Sequence, residues 1–561
     1  MSTKEETVID RGRDRLKRYR TQSGFSVKPV YYKEDISGID MEKDLGVPGS
    51  FPYTRGRHPE MYRKLLWLKH KSVGFQKEDR TGDREKLYIK IGMAGLRLAP
   101  SHATQVAVDP DHPLAKNDIG HSGPPRYSLK ALEKEFHGIA LPGEGGGTIE
   151  VPNAPGPSDV CIYTLLIALA EKRGVDISKF RGSGVNDPIE SHIIGWLDVH
   201  PLELGYKLTI DSMEFSVKNT PLFIPVSPCA YNLRESGINV IQELAFNMAE
   251  RIAYIDGVIE RGVKFEEIGS RIPLAFSGEI DFFETICKLR AARKMWAKIA
   301  QERYKVTDVK YLGAKCNIKT AGSSLTAQQP INNIARITLE SLSGVLGGVQ
   351  SIECCGYDEP LSLPSEEAEQ INMGISNIIA HESGVPLVAD PLGGSYYVEW
   401  LTDKIEREAT SLLQKILDMG GILEAVKKGW AQEEVSKAAL EYQMEINEKK
   451  RIVVGVNEFK VSKEDEVPMP SEFVFHDAEV VQKKVLEEIA HFKKTRDTEE
   501  VASSLREVYK KALKGENLIR PMVDAFKTNA TMGEVMGVIR EGMGFSYDPF
   551  GMIKRPDFLS Y

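Results

Sequence analysis

Two short clusters of acidic, glycine and polar residues could hold a small polar ligand. The first reads CCGYDE and spans residues 354–359; the second reads DPLGGS and spans residues 390–395. Each follows or overlaps a short, mostly apolar run, 349–355 or 385–389, of the kind that forms a buried strand. Parallel sheets place functional side chains at the carboxyl ends of their strands. Both clusters are therefore predicted to be site loops.

A helix is predicted between the two runs. Ala368, Ile371 and Ile375 recur at helical spacing, Ser365 can cap the first turn, and Gly384 can end the helix. Strand, loop, helix and strand in this order predict a parallel crossover unit.

The same alternation runs through most of the chain and predicts an α/β fold. Eight strand-like runs are found at 94–99, 148–151, 180–184, 222–226, 272–276, 311–318, 349–355 and 385–389. Eight such units favour a (β/α)8 TIM barrel. We predict an extended N-terminal arm at 1–75, the barrel at 76–400 and a helical C-terminal extension at 401–561.

Composition narrows the function classes. The 561 residues are 41% hydrophobic and 27% charged, which is typical of a globular protein. A net charge of −8 argues against a nucleic-acid surface. No apolar run reaches the roughly 20 residues of a membrane span, and the N-terminus has no signal-peptide core. The six cysteines have neither zinc nor disulfide spacing, so we expect a cytoplasmic protein with reduced thiols and no bound metal of its own.

Several motifs together carry a family resemblance. GVLGGVQS, GYDE, ESGV and DPLGGSYYVE resemble the large subunit of the adenosylcobalamin-dependent acyl-CoA mutases, which act on methylmalonyl-CoA, isobutyryl-CoA or 2-hydroxyisobutyryl-CoA. The resemblance implies a TIM barrel and an isomerase that exchanges a hydrogen and an acyl-thioester group between neighbouring carbons through radicals. It also implies adenosylcobalamin as cofactor.

The resemblance further implies a partner. Family cobalamin domains ligate cobalt through a DxHxxG motif, and the nearest segments here, DPDH at 109–112 and DIGHSG at 118–123, do not fit it. We therefore expect a separate small subunit to supply the cobalt ligand, in a heterodimer or heterotetramer. The segment LGVPGSFPYTRGRHPEMY is expected to meet that subunit.

Four residues match the side of the family's site that binds the cofactor. By resemblance, Glu359 in GYDE contacts the adenosyl ribose, Gly322 in KTAGSSLT lies in the adjacent loop, and Glu235 in NLRESG lies near the corrin. Lys319 replaces a family Gln and could contact ribose or substrate. An isolated Glu359 could equally be an ordinary loop carboxylate, but the surrounding match favours a functional role.

The substrate side departs from the family pattern. The family's SGYH becomes CAYN, which places Asn232 where a His holds the migrating carbonyl, beside Tyr231. We predict Asn232 and Lys319 as catalytic residues and Tyr231 as a substrate contact. In WLKHK, His70 stands where a CoA-binding Arg is expected, and Met61 is a further predicted substrate contact.

Three other positions bear on the acyl group. Lys207 or Lys116 could meet a substrate anion. Ile89 stands where methylmalonyl-CoA mutase has Tyr, so a reshaped pocket for a branched or bulky acyl-CoA is predicted; the alternative is that Ile89 is a core residue.

Two rival functions stay open from the sequence. The loss of the usual Arg and His contacts also suits a mutase whose substrate is not a CoA ester, or a non-catalytic paralogue that binds a partner. The adjacent Cys354 and Cys355 are either inert packing or reactive thiols, and packing is the commoner role.

Overall fold

The sheet of this protein has eight parallel strands. The computed structural model describes residues 19–151, 156–196, 199–462 and 477–559. The strands are β1 (Leu68–Val73), β2 (Gly95–Leu98), β3 (Thr148–Val151), β4 (Gly182–Gly184), β5 (Phe223–Ile224), β6 (Leu274–Gly278), β7 (Cys316–Thr320) and β8 (Ser351–Glu353).

The strand order is that of a sheet curling towards closure. It runs β5-β4-β3-β2-β1-β8-β7-β6, so β5 and β6 are the two edges. Just after β5, Cys229 forms a parallel bridge with Ala275 of β6, which brings the two edges together. The α/β class is confirmed, and the curled parallel sheet is consistent with a TIM-like barrel.

Helices connect and cover the strands. They are α1 (Glu78–Lys90), α2 (His102–Gln105), α3 (Leu129–Glu135), α4 (Pro157–Lys172), α5 (Pro188–Ile194), α6 (Leu202–Asn219), α7 (Ala230–Glu235), α8 (Val240–Ile259), α9 (Phe265–Ile268), α10 (Phe282–Glu302), α11 (Asn332–Leu346), α12 (Glu366–His381), α13 (Tyr396–Asp418), α14 (Ile422–Lys427), α15 (Trp430–Asn447), α16 (Ala478–Thr495), α17 (Thr498–Leu513), α18 (Ile519–Lys527) and α19 (Met532–Gly542). None of these helices, in the ranges given above, is long and apolar enough to cross a membrane.

Two strand predictions need correction. The run 385–389 is not a strand: it begins with the 3-10 helix Val385–Leu387, which has Pro386 in its first turn and follows Gly384 at φ 74°. The true eighth member of the sheet is β1, which lies inside the segment predicted as an extended arm, 1–75. The sheet therefore begins before residue 76.

The second predicted site loop, 390–395, lies away from the carboxyl ends of the strands. Asp390 helps to line a cavity with Met61 and Gly348, and Gly348 precedes β8 on the amino side. No strand leads into this loop, so the sheet does not carry it to the carboxyl ends of the strands. The predicted placement of this loop at the carboxyl ends of the strands is wrong, and a binding role for it stays a prediction.

The loop 390–395 is instead held by a buried ionic cluster. Arg290 of α10 donates to Asp390 and, at 2.6 Å, to Glu399, and all three side chains are at most 5% exposed. Arg55 donates to the other oxygen of Asp390 at 2.9 Å. The cluster ties the N-terminal segment, α10 and α13 together.

Removal of Arg290 should therefore be strongly destabilising. Arg290→Met leaves two buried carboxylates short of a cation, so we expect the free energy of unfolding to fall by about 3–5 kcal/mol. Urea unfolding measures this change. Arg303→Ala is the matched control, because its partly exposed pair with Asp256 should contribute less than about 1 kcal/mol. Equal effects of the two substitutions would contradict the assignment.

The C-terminal helices share their cores with the helices around the sheet. Leu401, Ile405 and Ala409 of α13 belong to the same apolar cluster as residues of α8 and α10. Helices α17 to α19 join a second cluster with β2, β3 and α4. A helical extension at 401–561 as a unit of its own stays a prediction.

Candidate active site

A cavity opens inside the curled sheet, towards the carboxyl ends of the strands. Its lining residues come from the eight strands, the segments that follow them and the start of α7: His70, Arg97, Glu150, Val151, Ser183, Gly184, Val185, Ser227, Cys229, Tyr231, Ala275, Phe276, Asn317, Ile318, Lys319, Ser351 and Glu353.

One side of the cavity is charged. His70 Nδ1 lies 2.8 Å from Glu150 Oε1, and Arg97 Nε lies 3.8 Å from Glu150 Oε2. Arg97 also donates to Glu353, whose Oε1 accepts from the backbone N–H of Ser72 at 2.9 Å and from its hydroxyl at 2.6 Å. We call His70, Arg97, Glu150 and Glu353 the charged wall.

The register of the sheet creates this wall. Arg97 pairs with Ser72 on one side and Glu150 on the other, while Glu353 pairs with His70. Burial acts to raise the pKa of Glu150, but His70 and Arg97 outweigh it and lower that pKa to about 2. Glu150 is therefore a carboxylate at neutral pH.

The opposite side of the cavity is lined by uncharged side chains, of which Val185, Tyr231 and Phe276 are large and five others are small. Ser183, Gly184, Ser227, Cys229 and Ala275 line it, and we call them the small wall. Small side chains leave space beside the charged wall. A branched acyl group could occupy that space without displacing an ion pair.

The four predicted cofactor residues cluster around Tyr231, and Lys319 and Tyr231 also line the cavity. Lys319 Nζ lies 3.8 Å from Glu359 Oε1 and 4.8 Å from the centre of the Tyr231 ring. The backbone N–H of Gly322 donates to the Tyr231 hydroxyl at 3.3 Å, and a Cβ on Gly322 would lie 3.1 Å from Glu235 Oε2. We call these five residues the mouth cluster.

The two carboxyl groups of the mouth cluster differ in charge state. Burial and repulsion from Glu279 raise the pKa of Glu235 to about 7, against the attraction of Lys319. For Glu359, burial also acts to raise the pKa, but Lys319 and Lys71 outweigh it and lower the pKa. Glu359 is thus the permanent anion and Glu235 the carboxyl that changes charge near neutral pH.

This difference predicts a pH-dependent stability. Unfolded Glu235 ionises near its ordinary pKa of about 4.3, whereas the folded group holds its proton up to about 7, so the native state loses stability as pH rises between these values. We expect Glu235→Gln to be more stable than the parent at pH 8 by about 1–2 kcal/mol, and by much less at pH 5.

Urea unfolding at the two pH values measures the effect. Glu433→Gln is the control, because Glu433 is 62% exposed on α15. A difference for Glu235→Gln that does not grow with pH would contradict the assignment.

Asn232 lies outside the cavity lining. It is on α7, and its Nδ2 donates to Glu190 Oε2 of α5 at 3.2 Å. Burial and repulsion from Asp187 raise the pKa of Glu190, so the amide of Asn232 contacts a buried acid. A carbonyl-orienting role for Asn232 stays a prediction.

Four further predicted substrate contacts are also placed elsewhere. Lys207 lies on α6 and donates to Asp211 of the same helix at 2.6 Å and to the Glu516 carbonyl at 2.8 Å. Lys116 is exposed on the 3-10 segment Pro113–Asn117. Ile89 lies on α1, 45% exposed, beside a separate cavity at the amino ends of β2 and β3.

Met61 is the fourth of these predicted substrate contacts. It is buried beside Tyr62 and Gly348 at the amino end of the sheet, in the cavity that includes Asp390. A substrate contact by Met61 would therefore lie at the opposite end of the sheet from the mouth cluster.

The vicinal cysteines are packed and buried. Cys355 Sγ donates to the Thr320 carbonyl at 3.0 Å, and Cys354 Sγ lies 3.3 Å from the Ser341 hydroxyl. Burial raises the pKa of both thiols. Since the thiolate is the reactive form, the packing interpretation is favoured.

The sequence interpretation missed three members of the charged wall, Arg97, Glu150 and Glu353. Each is a charged residue inside a predicted apolar strand run. A charge in such a position must face a polar interior or find a partner there. The charge inside an apolar run was the signal available from the sequence. It does not identify the partner, because each partner lies on a strand that is distant in sequence.

Comparison with known proteins identifies the family. The methylmalonyl-CoA mutase family profile matches residues 20–545. The 2-hydroxyisobutanoyl-CoA mutase large subunit of Aquincola tertiaricarbonis is 31% identical, over 93% of this chain and 92% of its own. The methylmalonyl-CoA mutases of Rhizobium meliloti and Homo sapiens are each 30% identical over 94% of this chain, and over 72% and 68% of theirs. The chain belongs to the methylmalonyl-CoA mutase family.

Proposed function

We propose that this protein is the large subunit of an adenosylcobalamin-dependent acyl-CoA mutase. The carrying observation is the mouth cluster, in which Lys319 lies beside both Glu359 and Tyr231 next to the cavity. In the reaction an acyl-thioester group leaves one carbon and bonds to its neighbour, while a hydrogen moves the opposite way. The product is an isomer of the substrate, so no other reactant is consumed.

The mouth cluster suits the adenosyl group of the cofactor. Glu359 and Glu235 can accept hydrogen bonds from ribose hydroxyls, and Lys319 can donate one. The Gly322 loop approaches Glu235 and Tyr231 so closely that an added Cβ would lie within 3.1–3.3 Å of both. Adenosylcobalamin, when bound, supplies the radical chemistry, and these residues would bind and orient its adenosyl part.

A small cobalamin-binding subunit completes the proposed enzyme, as a heterodimer or heterotetramer in the cytoplasm. The support is the similarity over 92% of a relative that is itself named a large subunit. In this proposal a closed TIM barrel, with an arm from the N-terminal segment and a helical C-terminal extension, presents the mouth cluster to the small subunit.

The proposed substrate carries no second carboxylate on its acyl group. Both cations that line the cavity already contact acids: Lys319 lies beside Glu359, and Arg97 lies between Glu150 and Glu353. An added carboxylate would compete with these acids. The small wall instead offers room for a branched or bulky neutral acyl group.

The experiment is an isomerisation assay on candidate acyl-CoA thioesters with chromatographic detection. We expect product when the chain, a small cobalamin-binding subunit and adenosylcobalamin are all present, and none from this chain alone. Full turnover without any cobalamin-binding partner would overturn the proposal. Free CoA should compete with the substrate, and its failure to do so would favour a substrate that is not a CoA ester.

A further inference from the structure

Two loops that follow neighbouring strands carry part of the mouth cluster. The Gly322 loop, residues 321–326, comes after β7, and the GYDE loop, residues 356–359, comes after β8. Loops move more than the strands that they follow. A ligand held by both loops needs them at a fixed separation, because a misplacement of about 1 Å can cost about 100-fold in a positioned site.

Asn333, in the first turn of α11, joins the two loops. The residue is fully buried. Its Nδ2 donates to the carbonyls of Thr326 and Tyr357, both at 2.9 Å. Its Oδ1 accepts from the backbone N–H of Thr326 at 3.1 Å and from Arg336 at 2.7 Å. Both hydrogens of the amide group and both acceptor positions of its oxygen are therefore used.

The contact with Thr326 fixes the turn that contains Gly322. The backbone N–H of Leu325 donates to the Gly322 carbonyl at 3.0 Å, and Thr326 is the next residue. Glu235 holds the same turn from α7, since its carboxyl group accepts from the backbone N–H of Ser323 at 2.6 Å. The turn is thus held in its middle by α7 and at its end by α11.

The contact with Tyr357 fixes the turn that ends at Glu359. The backbone N–H of Glu359 donates to the Gly356 carbonyl, and Glu359 Oε2 accepts from the backbone N–H of Gly356, both at 3.1 Å. Tyr357 lies inside this turn, so a shift of its carbonyl also moves Glu359. One amide group, that of Asn333, therefore links the turn of Gly322 to the turn of Glu359.

We infer that Asn333 is a positioning residue that sets the separation of the Gly322 loop and the GYDE loop, so that both loops reach the adenosyl group at once. This inference rests on the proposed function. An amide suits the task, because its two donors serve one carbonyl in each loop. Arg336 and the Thr326 N–H fix the orientation of the amide from the other side, as the support of a precise site requires.

Two cobalamins that differ only in one cobalt ligand test the assignment without turnover. Adenosylcobalamin carries the adenosyl group, and methylcobalamin has a methyl group in its place. Calorimetric titration of each into the full chain with its small subunit gives the two dissociation constants. We expect the parent protein to bind adenosylcobalamin about tenfold or more tightly, because hydrogen bonds to the adenosyl ribose are added.

Asn333→Asp keeps the shape of the side chain but removes both donors. We expect the preference for adenosylcobalamin to fall about tenfold, while the dissociation constant of methylcobalamin stays within about twofold. The sheet should stay closed, because the backbone N–H of Cys355 donates to the Thr320 hydroxyl at 2.8 Å and joins the ends of β7 and β8 independently. Asn332→Asp is the matched control, since Asn332 is exposed and its amide donates only to Gln329.

A second variant reaches the same link through another side chain. Arg336→Met removes the donor to Asn333 Oδ1 and to the Thr326 hydroxyl, but it leaves both donors of Asn333 in place. We expect the preference for adenosylcobalamin to fall about threefold. If Asn333→Asp does not fold, Arg336→Met decides the question, and a full preference in that variant overturns the assignment.

Hydrogen–deuterium exchange gives a readout that needs no cobalamin. In the chain alone, Asn333→Asp should speed amide exchange about tenfold in the Gly322 loop and the GYDE loop together, with α13 unchanged. Faster exchange throughout the chain, α13 included, would show a general loss of stability and overturn the positioning role.

The outcomes of the titrations distinguish two failures. If the parent protein shows no preference for adenosylcobalamin over methylcobalamin, the role of the mouth cluster fails, and the proposed function fails with it. If the parent shows the preference but Asn333→Asp keeps it in full, or loses affinity for both cobalamins equally, the positioning role of Asn333 is overturned while the proposed function stands.

Discussion

Lys319→Ala is expected to reduce turnover of an acyl-CoA substrate by about 100-fold, the usual effect of losing one preorganised polar group in an active site. Lys319 is the cation nearest to Glu359 and lies over the Tyr231 ring, and it also lowers the pKa of Glu235. Without it, two carboxyl groups would face the cofactor with no cation between them. Binding of the adenosyl group would weaken and the site would lose its charge balance.

Lys319→Ala should reduce turnover without a comparable loss of stability. The Lys319–Glu359 pair is partly exposed, with side chains 18% and 32% accessible, so its removal should change the unfolding free energy by less than about 1 kcal/mol. Lys315→Ala is a matched control, because Lys315 is exposed just before the other end of β7. Steady-state kinetics of the complex with its small subunit would decide. Near-normal turnover by Lys319→Ala would contradict the role of the mouth cluster.

A substrate with a second carboxylate should be used about 100-fold less efficiently than a neutral one of similar size. Methylmalonyl-CoA and isobutyryl-CoA form such a pair. The extra carboxylate would lie near Glu150 and Glu353, and it could gain Arg97 only by taking it from those acids. The measurement is kcat/KM for each thioester.

A substitution in the charged wall should shift this preference. Glu353→Gln removes one acid partner of Arg97, yet the amide oxygen can still accept from Ser72. We expect the variant to raise the relative kcat/KM for methylmalonyl-CoA by about tenfold. Glu366→Gln, at an exposed position in the first turn of α12, should leave the ratio unchanged. A parent enzyme that prefers methylmalonyl-CoA would refute the charge argument.

Most strands of the sheet could be predicted from apolar runs in the sequence. The exception is a strand in which charged residues interrupt the run. The first strand escaped notice because Lys69, His70 and Lys71 interrupt its apolar pattern. Lys71 nevertheless lies buried, with its Nζ 3.0 Å from the Cys354 carbonyl and 3.2 Å from Glu369. These partners are distant in sequence, so local periodicity could not reveal them.

The opposite error arose at 385–389. Its apolar letters fit a strand, but the sheet already had eight members and the segment turns through a 3-10 helix after Gly384. The following DPLGGS motif is engaged by Arg55 and Arg290 at the amino end. In the structure this distinctive motif forms part of a buried ionic cluster.

The mouth cluster was predictable through resemblance, and the charged wall was not. Lys319, Gly322 and Glu359 stand in short motifs whose neighbours also match, so their positions could be transferred from the family pattern. Arg97, Glu150 and Glu353 come from three separate strands, and only the register of the sheet brings them together. The contact of Asn232 with Glu190 could not be predicted for a similar reason, because helix packing brings these two side chains together.

Electron paramagnetic resonance on the assembled protein tests the central claim most directly. The sample contains this chain, a small cobalamin-binding subunit and adenosylcobalamin, and candidate acyl-CoA thioesters are added in turn. The account predicts a paramagnetic signal that arises only with a suitable neutral acyl-CoA and is lost in Lys319→Ala. Silence with every thioester, while the cofactor is shown to be bound, would contradict a mutase acting on acyl-CoA.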